Sequence, residues 1–382
     1  MQKKGINILS TFDGISCGRV ALDKADIKVD NYFASEIDKF ATKVSESNYP
    51  DIIRLGDVRY INIKALPKID LYIGGSPCQS FSFAGKRKGM VTSDNIEVTT
   101  LEQYLNLKEQ GFEFQGQSYL FWEYVNILTQ LREINPDIKF LLENVAMLKK
   151  WEDIISEALG VKPHKINSNK YSAQNRKRLY WTNIEGVQDK PEDDLKLILG
   201  DIMLPDDFDG FTYPTNIRIK TIERKTEQGF TRGIIEYFNQ KAPCLVASMY
   251  KNMSQHTLRT RTEGYGEVDA LVTDGESLFV PENTIVGFKE VKNGEWFDAS
   301  YPHSPKRRGR LMKDKCHTLL ASGKGFVRWK DNTIRFLHPI EAERLQTLPD
   351  NYTSAVSTSQ RLKALGNGWT VDVIAHILKN LK

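Results

Sequence analysis

The sequence predicts an α/β fold with a smaller second domain, and three observations predict it. In the first half of the 382-residue chain, strand-like apolar runs alternate with helix-like segments, the pattern of a parallel sheet covered on both faces. Two of the runs, "DLYIGG" and "KFLLE", read as central strands buried on both sides. Past about residue 187 glycine, proline, threonine and charge increase and helical periodicity fades, so an irregular, strand-rich region is expected to about 330.

Each element follows in order. "INILSTF" is a strand and "CGRVALDKAD" a short helix; "VDNYFASEI" is a strand and "DKFATKVSESNYP" a helix ending near its proline. "IIRLGDVRY", "IDLYIGG", "IKFLLENV" and "RLYWTNI" are further strands. Between them lie helices over "QSYLFWEYVNILTQLREIN" and "WEDIISEALG". The first carries Leu120, Phe121, Val125, Leu128 and Leu131 on one helical face. "TTLEQYLNLKEQ", inside the long stretch between Gly89 and Ser118, also reads as helical, either a surface insertion or a second nucleic-acid contact. The tail is helical again, with Val371, Ile374, Leu378 and Leu381 in one stripe, and is expected to return onto the first domain. The expected division is 1–190 completed by 331–382, with 191–330 as the second domain.

Composition narrows the class. The chain is 40% apolar and 27% charged, a globular mix, and no apolar run is long enough for a membrane span. The first residues lack the apolar core and cleavage site of a signal peptide. The four cysteines, Cys17, Cys78, Cys244 and Cys316, form no C-x-x-C pair, which disfavours structural zinc and suits a reducing compartment. No metal is expected. The net charge of +4 is modest, but basic runs at 217–225, 258–261 and 306–315 gather in one half of the chain. One such run is ordinarily solvated surface; several together favour a phosphate-facing surface.

Open α/β sheets bind ligands outside the carboxyl ends of their strands. The first strand offers "TFDGISCG" there, a glycine-containing turn into a helix. The second ends in Glu36, about 20 residues on, where an acid commonly takes a ribose hydroxyl pair. The third offers Asp57, the fourth "GGSPCQ" with Cys78, and the fifth "ENV"; the sixth is preceded by "QNRKR". Singly each is weak. The turn lacks G-x-G-x-x-G, a lone cysteine is more often a small buried hydrophobe, and Arg176 and Arg178 alone would be surface charge. Their joint occurrence at successive strand ends points to a nucleoside site beside a thiol, a carboxylate and two guanidinium groups.

These residues resemble the DNA cytosine-5 methyltransferases, across nearly the whole chain. "FDGISCGRVAL" is similar to the first motif, "SPCQSFSFAG" to the catalytic loop, "LLENV" to the glutamate motif and "QNRKRLYW" to Gln-x-Arg-x-Arg. "IRFLHPIEAERLQTLPDNY" and "LGNGWTVDVI" resemble the last two motifs. The first motif departs from the bacterial Phe-Ala-Gly-x-Gly-Gly form and is closer to that of the vertebrate de novo enzymes, as is Trp369 after "GNG".

The resemblance implies a Rossmann-like class I methyltransferase sheet, with 191–330 as a target-recognition domain. It implies methyl transfer from S-adenosylmethionine to C5 of cytosine in double-stranded DNA at a specific sequence. Cys78 would add to C6 of a flipped base. Glu143 would hold a proton at N3 and Arg178 would donate to O2; Arg176 is carried over with them, on phosphate or steadying the loop. Asn144 would pin the Pro-Cys turn, with Gln174 as further support, and Gln79 and Ser82 would touch DNA. Phe12, Gly14, Ile15, Glu36, Asp57, Pro77, Asn367 and Trp369 would hold the cofactor, while Asp13 could cap the following helix. A monomer in the cytoplasm of a bacterial or phage-infected cell is expected, with a cognate restriction endonuclease as a genetic rather than physical partner. Two rivals stand beside this: a transfer-RNA cytosine-5 methyltransferase with the same machinery, and a non-catalytic DNA-binding homologue.

Overall fold

The computed structural model describes residues 5–77, 90–191, 194–205, 208, 219–221, 271–284, 288–299, 309–321, 326–331 and 333–381. They fall into two compact units, Met1–Ile202 with His317–Ser322 and Ala342–Lys382, and Met203–Cys316 with Gly323–Glu341.

The first unit is built on a seven-stranded sheet. Its strands are β1 (Ile6–Thr11), β2 (Val29–Ser35), β3 (Ile53–Arg54), β4 (Leu71–Gly74), β5 (Lys139–Val145), β6 (His164–Asn167) and β7 (Lys177–Thr182), in the order β3-β2-β1-β4-β5-β7-β6. All pairings from β3 to β5 are parallel; β7 runs antiparallel to both β5 and β6. The all-parallel expectation is thus corrected at one strand, which returns through the turn after β6.

Successive side chains of a strand point to opposite faces. Leu9, Tyr72, Phe140 and Leu142 are at most 1% exposed on one face, and so are Ile8, Leu71, Ile73 and Leu141 on the other. Both faces are therefore covered, as the continuous apolar runs require. Helix α1 (Cys17–Lys24) lies on the second face, so close that a Cβ on Gly18 would stand 2.4 Å from Ile73 Cδ1. Helix α2 (Lys39–Asn48) is started by Asp38, whose carboxylate accepts the Phe40 and Ala41 N–H groups.

Helix α3 (Leu101–Glu109) is the one foreseen inside the long stretch before Ser118. It docks on α4 (Phe121–Ile134) through Tyr104, whose hydroxyl donates to the buried Glu123 carboxylate at 2.6 Å, and through Lys108 at the same oxygen. The stretch 90–117 holds Asp94, Glu97, Glu102, Glu109 and Glu113 against the single base Lys108. An acidic surface repels phosphates, which favours the surface insertion over the nucleic-acid contact. Helix α4 buries Phe121, Val125, Leu128 and Leu131 as its spacing predicts, and α5 (Lys149–Leu159) ends on Gly160 at φ 76°.

The C-terminal helices of this unit are α7 (Thr358–Asn367) and α8 (Val371–Leu378), preceded by α6 (Pro339–Leu345). Val371, Ile374 and Leu378 are fully buried and α8 packs on α1; Leu381 lies beyond the helix end.

The second unit holds two four-stranded sheets. One has the order β11 (Phe288–Val291), β10 (Leu278–Pro281), β9 (Leu271–Thr273), β8 (Ile219–Thr221). The other has β13 (Leu311–Met312), β12 (Trp296–Asp298), β14 (Phe326–Lys330), β15 (Thr333–Phe336). Leu278, Val280, Val291, Phe297, Val327 and Trp329 join them in one apolar cluster. The strand-rich expectation is met. The stretch from 222 to 270, which carries the basic run 258–261, lies outside the described residues.

Candidate active site

Register sets the site. Thr11 pairs with Ser35 and with Gly74, and Gly74 pairs with Leu142. The next residue on each strand therefore falls in one row: Phe12, Glu36, Gly75 and Glu143.

Beyond β1 the chain makes an unusual turn. Phe12, Gly14 and Ser16 all adopt left-handed backbone, φ 56°, 58° and 61°. For the two residues with side chains this costs about 1–3 kcal/mol each, so the surroundings must impose it. Gly14 N–H donates to Glu36 Oε2 at 2.8 Å, and the Tyr352 hydroxyl donates to the Ile15 carbonyl at 2.7 Å. From within, the Asp13 carboxylate accepts the Ser10 hydroxyl at 2.6 Å, the Tyr32 hydroxyl at 2.7 Å and the Ser16 hydroxyl. Asp13 does not cap α1 through its side chain; the position before α1 is Ser16, which makes no side-chain cap.

The Glu36 carboxylate also accepts the Ile37 and Asp38 N–H groups, at 2.8 and 2.7 Å. Burial pushes its pKa above the ordinary glutamate value, with the Asp38, Gly14 and Ile37 N–H groups pulling the other way. Asp57 follows β3 and starts a short 3₁₀ turn by accepting the Arg59 N–H, while the Arg59 guanidinium grips the same carboxylate, Nε to Oδ1 at 3.0 Å. That pairing with Arg59 holds the Asp57 carboxyl below the usual aspartate range.

These residues fit a nucleoside-bearing cofactor. Gly14 and Gly56 have positive φ, and a Cβ on either would meet nothing within 4 Å, so the space in front of β1 and β3 is open. Ile37, 67% exposed beside Glu36, offers an apolar surface there. Trp369 is buried, and a Cβ on Gly75 would stand 2.9 Å from its indole Nε1, so the backbone after β4 lies against the ring. Asn367 ends α7 and is exposed, and Pro77 is half-buried.

Arg176 is buried, 4% exposed. Its guanidinium donates to the Gly368 carbonyl at 2.8 Å and to the Gly366 and Leu319 carbonyls at 3.4 Å. It thereby ties the turn before β7 to the segment 366–368 that leads into Trp369. Arg178 stands instead against Glu143, Nε to Oε1 at 3.0 Å, both largely buried. Asn144 Nδ2 donates to the Ser76 carbonyl at 3.2 Å and hydroxyl at 3.1 Å, so it grips the chain two residues before position 78. Gln174 is fully buried; its backbone carbonyl accepts the Ser168 hydroxyl at 2.7 Å. Cys78, Gln79 and Ser82 lie outside the described residues.

Sequence reasoning missed the three hydroxyls on Asp13, the Tyr352 contact and Arg59. Ser10 and Ser16 lie only three positions from Asp13, but Tyr32 is 19 positions from it and Tyr352 is 337 positions from Ile15. Arg59, two positions after an acid at a strand end, was visible as a ready ion pair. Ile37, an apolar residue directly after the acid at the end of β2, was also visible.

A sheet of this order, with a carboxylate at the end of β2 and open glycine-backed space at the switch point, is the α/β arrangement that takes nucleoside-bearing ligands. The family model for C-5 cytosine-specific DNA methylases matches residues 6–382, and the chain belongs to that family. Its reaction class is DNA cytosine-5 methyl transfer. It is 24% identical to the type II methyltransferase M.HhaI of Haemophilus parahaemolyticus, covering 100% of this chain and 95% of that protein. It is likewise 24% identical to the orphan methyltransferase M.SPRI of Bacillus phage SPR, covering 98% and 97%. Among solved structures, the S. pombe Dnmt2 methyltransferase shares its fold with a TM-score of 0.52 at 14% identity, covering 98% of each chain. A protein encoded within an E. coli prophage does so at 0.54 and 19%, covering 99% and 98%.

Proposed function

We propose that this chain methylates C5 of cytosine within a specific sequence of double-stranded DNA, on a base swung out of the helix and held covalently by Cys78. The observation that carries the reading is the pairing of Glu143 with Arg178 at 3.0 Å on neighbouring strands, beside the Asn144 grip on Ser76. An acid, a guanidinium and the root of the cysteine turn thus share one edge of the sheet.

C5 of cytosine is a poor nucleophile. The Cys78 thiolate adds to C6, and the ring electrons move toward N3 and O2. Glu143 holds a proton at N3 and Arg178 donates to O2, where negative charge develops. C5 is then electron-rich and takes the methyl group. Solvent removes the C5 proton, the C5–C6 double bond reforms and the thiolate leaves. S-adenosylmethionine, when bound, supplies the methyl group as an electrophilic sulfonium. Glu36 takes its ribose hydroxyls, Asp57 its adenine amine, and Phe12, Gly14, Ile15, Pro77, Asn367 and Trp369 line its pocket. Extruding the base costs about a few kcal/mol, which Gln79, Ser82 and the basic runs of the second unit offset through DNA contacts.

The test is incubation with genomic DNA, and separately with transfer RNA, in labelled S-adenosylmethionine, followed by base-resolved sequencing. Label at C5 of cytosine in one short DNA motif is expected. Label on transfer RNA alone, or on an exocyclic amine, overturns the reading.

A further inference from the structure

Asp13 stands just past the end of β1, and the reaction does not use it. It lies in the loop that makes three left-handed turns in five residues. Its side chain points away from the open space and into the protein, where three hydroxyls converge on it. Oδ1 accepts from Ser10 and Tyr32, and Oδ2 from Ser16, whose oxygen also meets Ser45 on α2. The donors come from β1, β2 and the start of α1, so the carboxylate joins every element that bounds the loop.

From this geometry we propose that Asp13 is the positioning residue of the cofactor loop: by gathering these hydroxyls it holds Phe12, Gly14 and Ser16 in their left-handed conformations, so that Gly14 N–H meets Glu36 and the cofactor finds its site already formed. The proposal rests on the reading of this edge as the S-adenosylmethionine site.

Three further observations support it. Asp13 N–H donates to the Ser35 carbonyl at 3.1 Å, so the loop is tied to β2 through both backbone and side chain of one residue. Of the residues on either side of Asp13, Gly14 has open space in front of it and Phe12 packs against the core cluster, so a displaced Asp13 moves both. Finally, the charge on Asp13 is not what holds it in place. Burial pushes its carboxyl above the ordinary aspartate value against the three hydroxyls and the charge of Arg54. A buried carboxylate in that condition is a net cost at neutral pH, and a neutral isostere would relieve it.

The hydrogen-bond geometry, rather than the charge, is what positions the loop. An asparagine can keep it. Its oxygen accepts from Ser10 and Tyr32, and its amide donates to the Ser16 oxygen while the Ser16 proton turns to Ser45. An alanine cannot.

The experiment compares wild type, Asp13→Ala and Asp13→Asn as full chains. S-adenosylmethionine and S-adenosylhomocysteine binding are measured by calorimetry, with steady-state kinetics on duplex DNA. For Asp13→Ala, Kd for both ligands rises about tenfold, equal to about 1.4 kcal/mol. KM for the cofactor rises alike, and kcat moves far less. Asp13→Asn recovers binding to within about threefold of wild type, the difference expected between a strong and an adequate set of hydrogen bonds. Unchanged cofactor affinity in a folded Asp13→Ala protein overturns the proposal. So does a loss confined to the sulfonium ligand, or a fall in kcat and DNA affinity together with cofactor affinity. Should Asp13→Ala not fold, Tyr32→Phe removes one donor from Oδ1 and is expected to raise Kd about threefold; no change there is equally fatal. If wild type binds neither ligand, the cofactor reading itself has failed, which the variants cannot mimic.

Discussion

Replacing Arg176 by alanine tests the office that the structure gives it. The short bond from Nη2 to the Gly368 carbonyl, 2.8 Å, is charge-assisted and contributes about 1.5–3 kcal/mol. The contacts to Gly366 and Leu319 at 3.4 Å are near the geometric limit and together add about 1 kcal/mol. Truncation also leaves buried carbonyls without their donor and a void where the guanidinium lay, so the total comes to about 3–5 kcal/mol. The loss should concentrate at 366–369, because the bonds end there. Hydrogen exchange resolved at these amides, with the thermal midpoint and cofactor Kd, reads it out. Expected are faster exchange across 366–371, a lower midpoint and weaker cofactor binding through a displaced Trp369. Arg176→Lys should not rescue, since one ammonium cannot reach carbonyls arranged for a planar fork. The reasoning is refuted if Arg176→Ala leaves exchange and midpoint unchanged while kcat drops by orders of magnitude, for then the guanidinium meets the substrate.

Cys78→Ala should abolish turnover while duplex affinity survives within about tenfold; a 5-fluorocytosine duplex with methyl donor should become covalently joined to wild type alone, as denaturing electrophoresis will report. Arg178→Ala should lower kcat at least about a hundredfold, the usual cost of one donor at a developing oxyanion, with cofactor Kd within twofold; a change in Kd without one in kcat would remove Arg178 from the chemistry. Glu36 carries a raised pKa, so its protonated form is favoured by the folded state and its ionised form costs stability once pH rises above the ordinary glutamate value. Glu36→Gln should therefore not lower the thermal midpoint at pH 7, yet should weaken cofactor binding. In wild type, binding should fall as pH drops through the raised value, sooner than an ordinary glutamate would dictate; a pH-independent Kd down to 4.5 would contradict this.

Legibility followed burial and locality. Strands β4 and β5 were readable because both faces are covered and the sequence is apolar without alternation; β1 and β2 are buried on both faces only over their last four residues, after Asn7 and after Asp30 and Asn31. Strand β3 was overread. "IIRLGDVRY" gives only Ile53–Arg54, because Gly56 turns to φ 71° and Asp57 then starts a 3₁₀ turn. Strand β6, "HKIN", went unread: it is short, half-exposed and mostly polar, with only Ile166 buried. The reversed direction of β7 has no local signal at all. In the candidate site, Glu36 was legible as an acid at the end of an apolar strand and Asp57 as one after the glycine that follows β3, whereas Asn144 came only with the family resemblance. The burial of Arg176 was not, since its acceptors lie 143 to 192 positions away.

The contrast between Arg176 and Arg178 shows why two identical side chains two residues apart do different work. Arg178 lies within β7, opposite Val145 and two pairs from the Glu143–Tyr180 pair, so its side chain can lean along the strand to the acid. Residues two apart on a strand share a face, and a regular strand would send Arg176 the same way. It does not, because β7 begins at Lys177: Arg176 is in the turn, where its N–H is taken by Asn167 Oδ1 at 3.0 Å and its carbonyl by Ser168 N–H at 3.1 Å. Freed from the pleat, its side chain runs inward to Gly366 and Gly368. The strand boundary thus divides one basic motif into a group paired with Glu143 and a group that binds the backbone at 366–368.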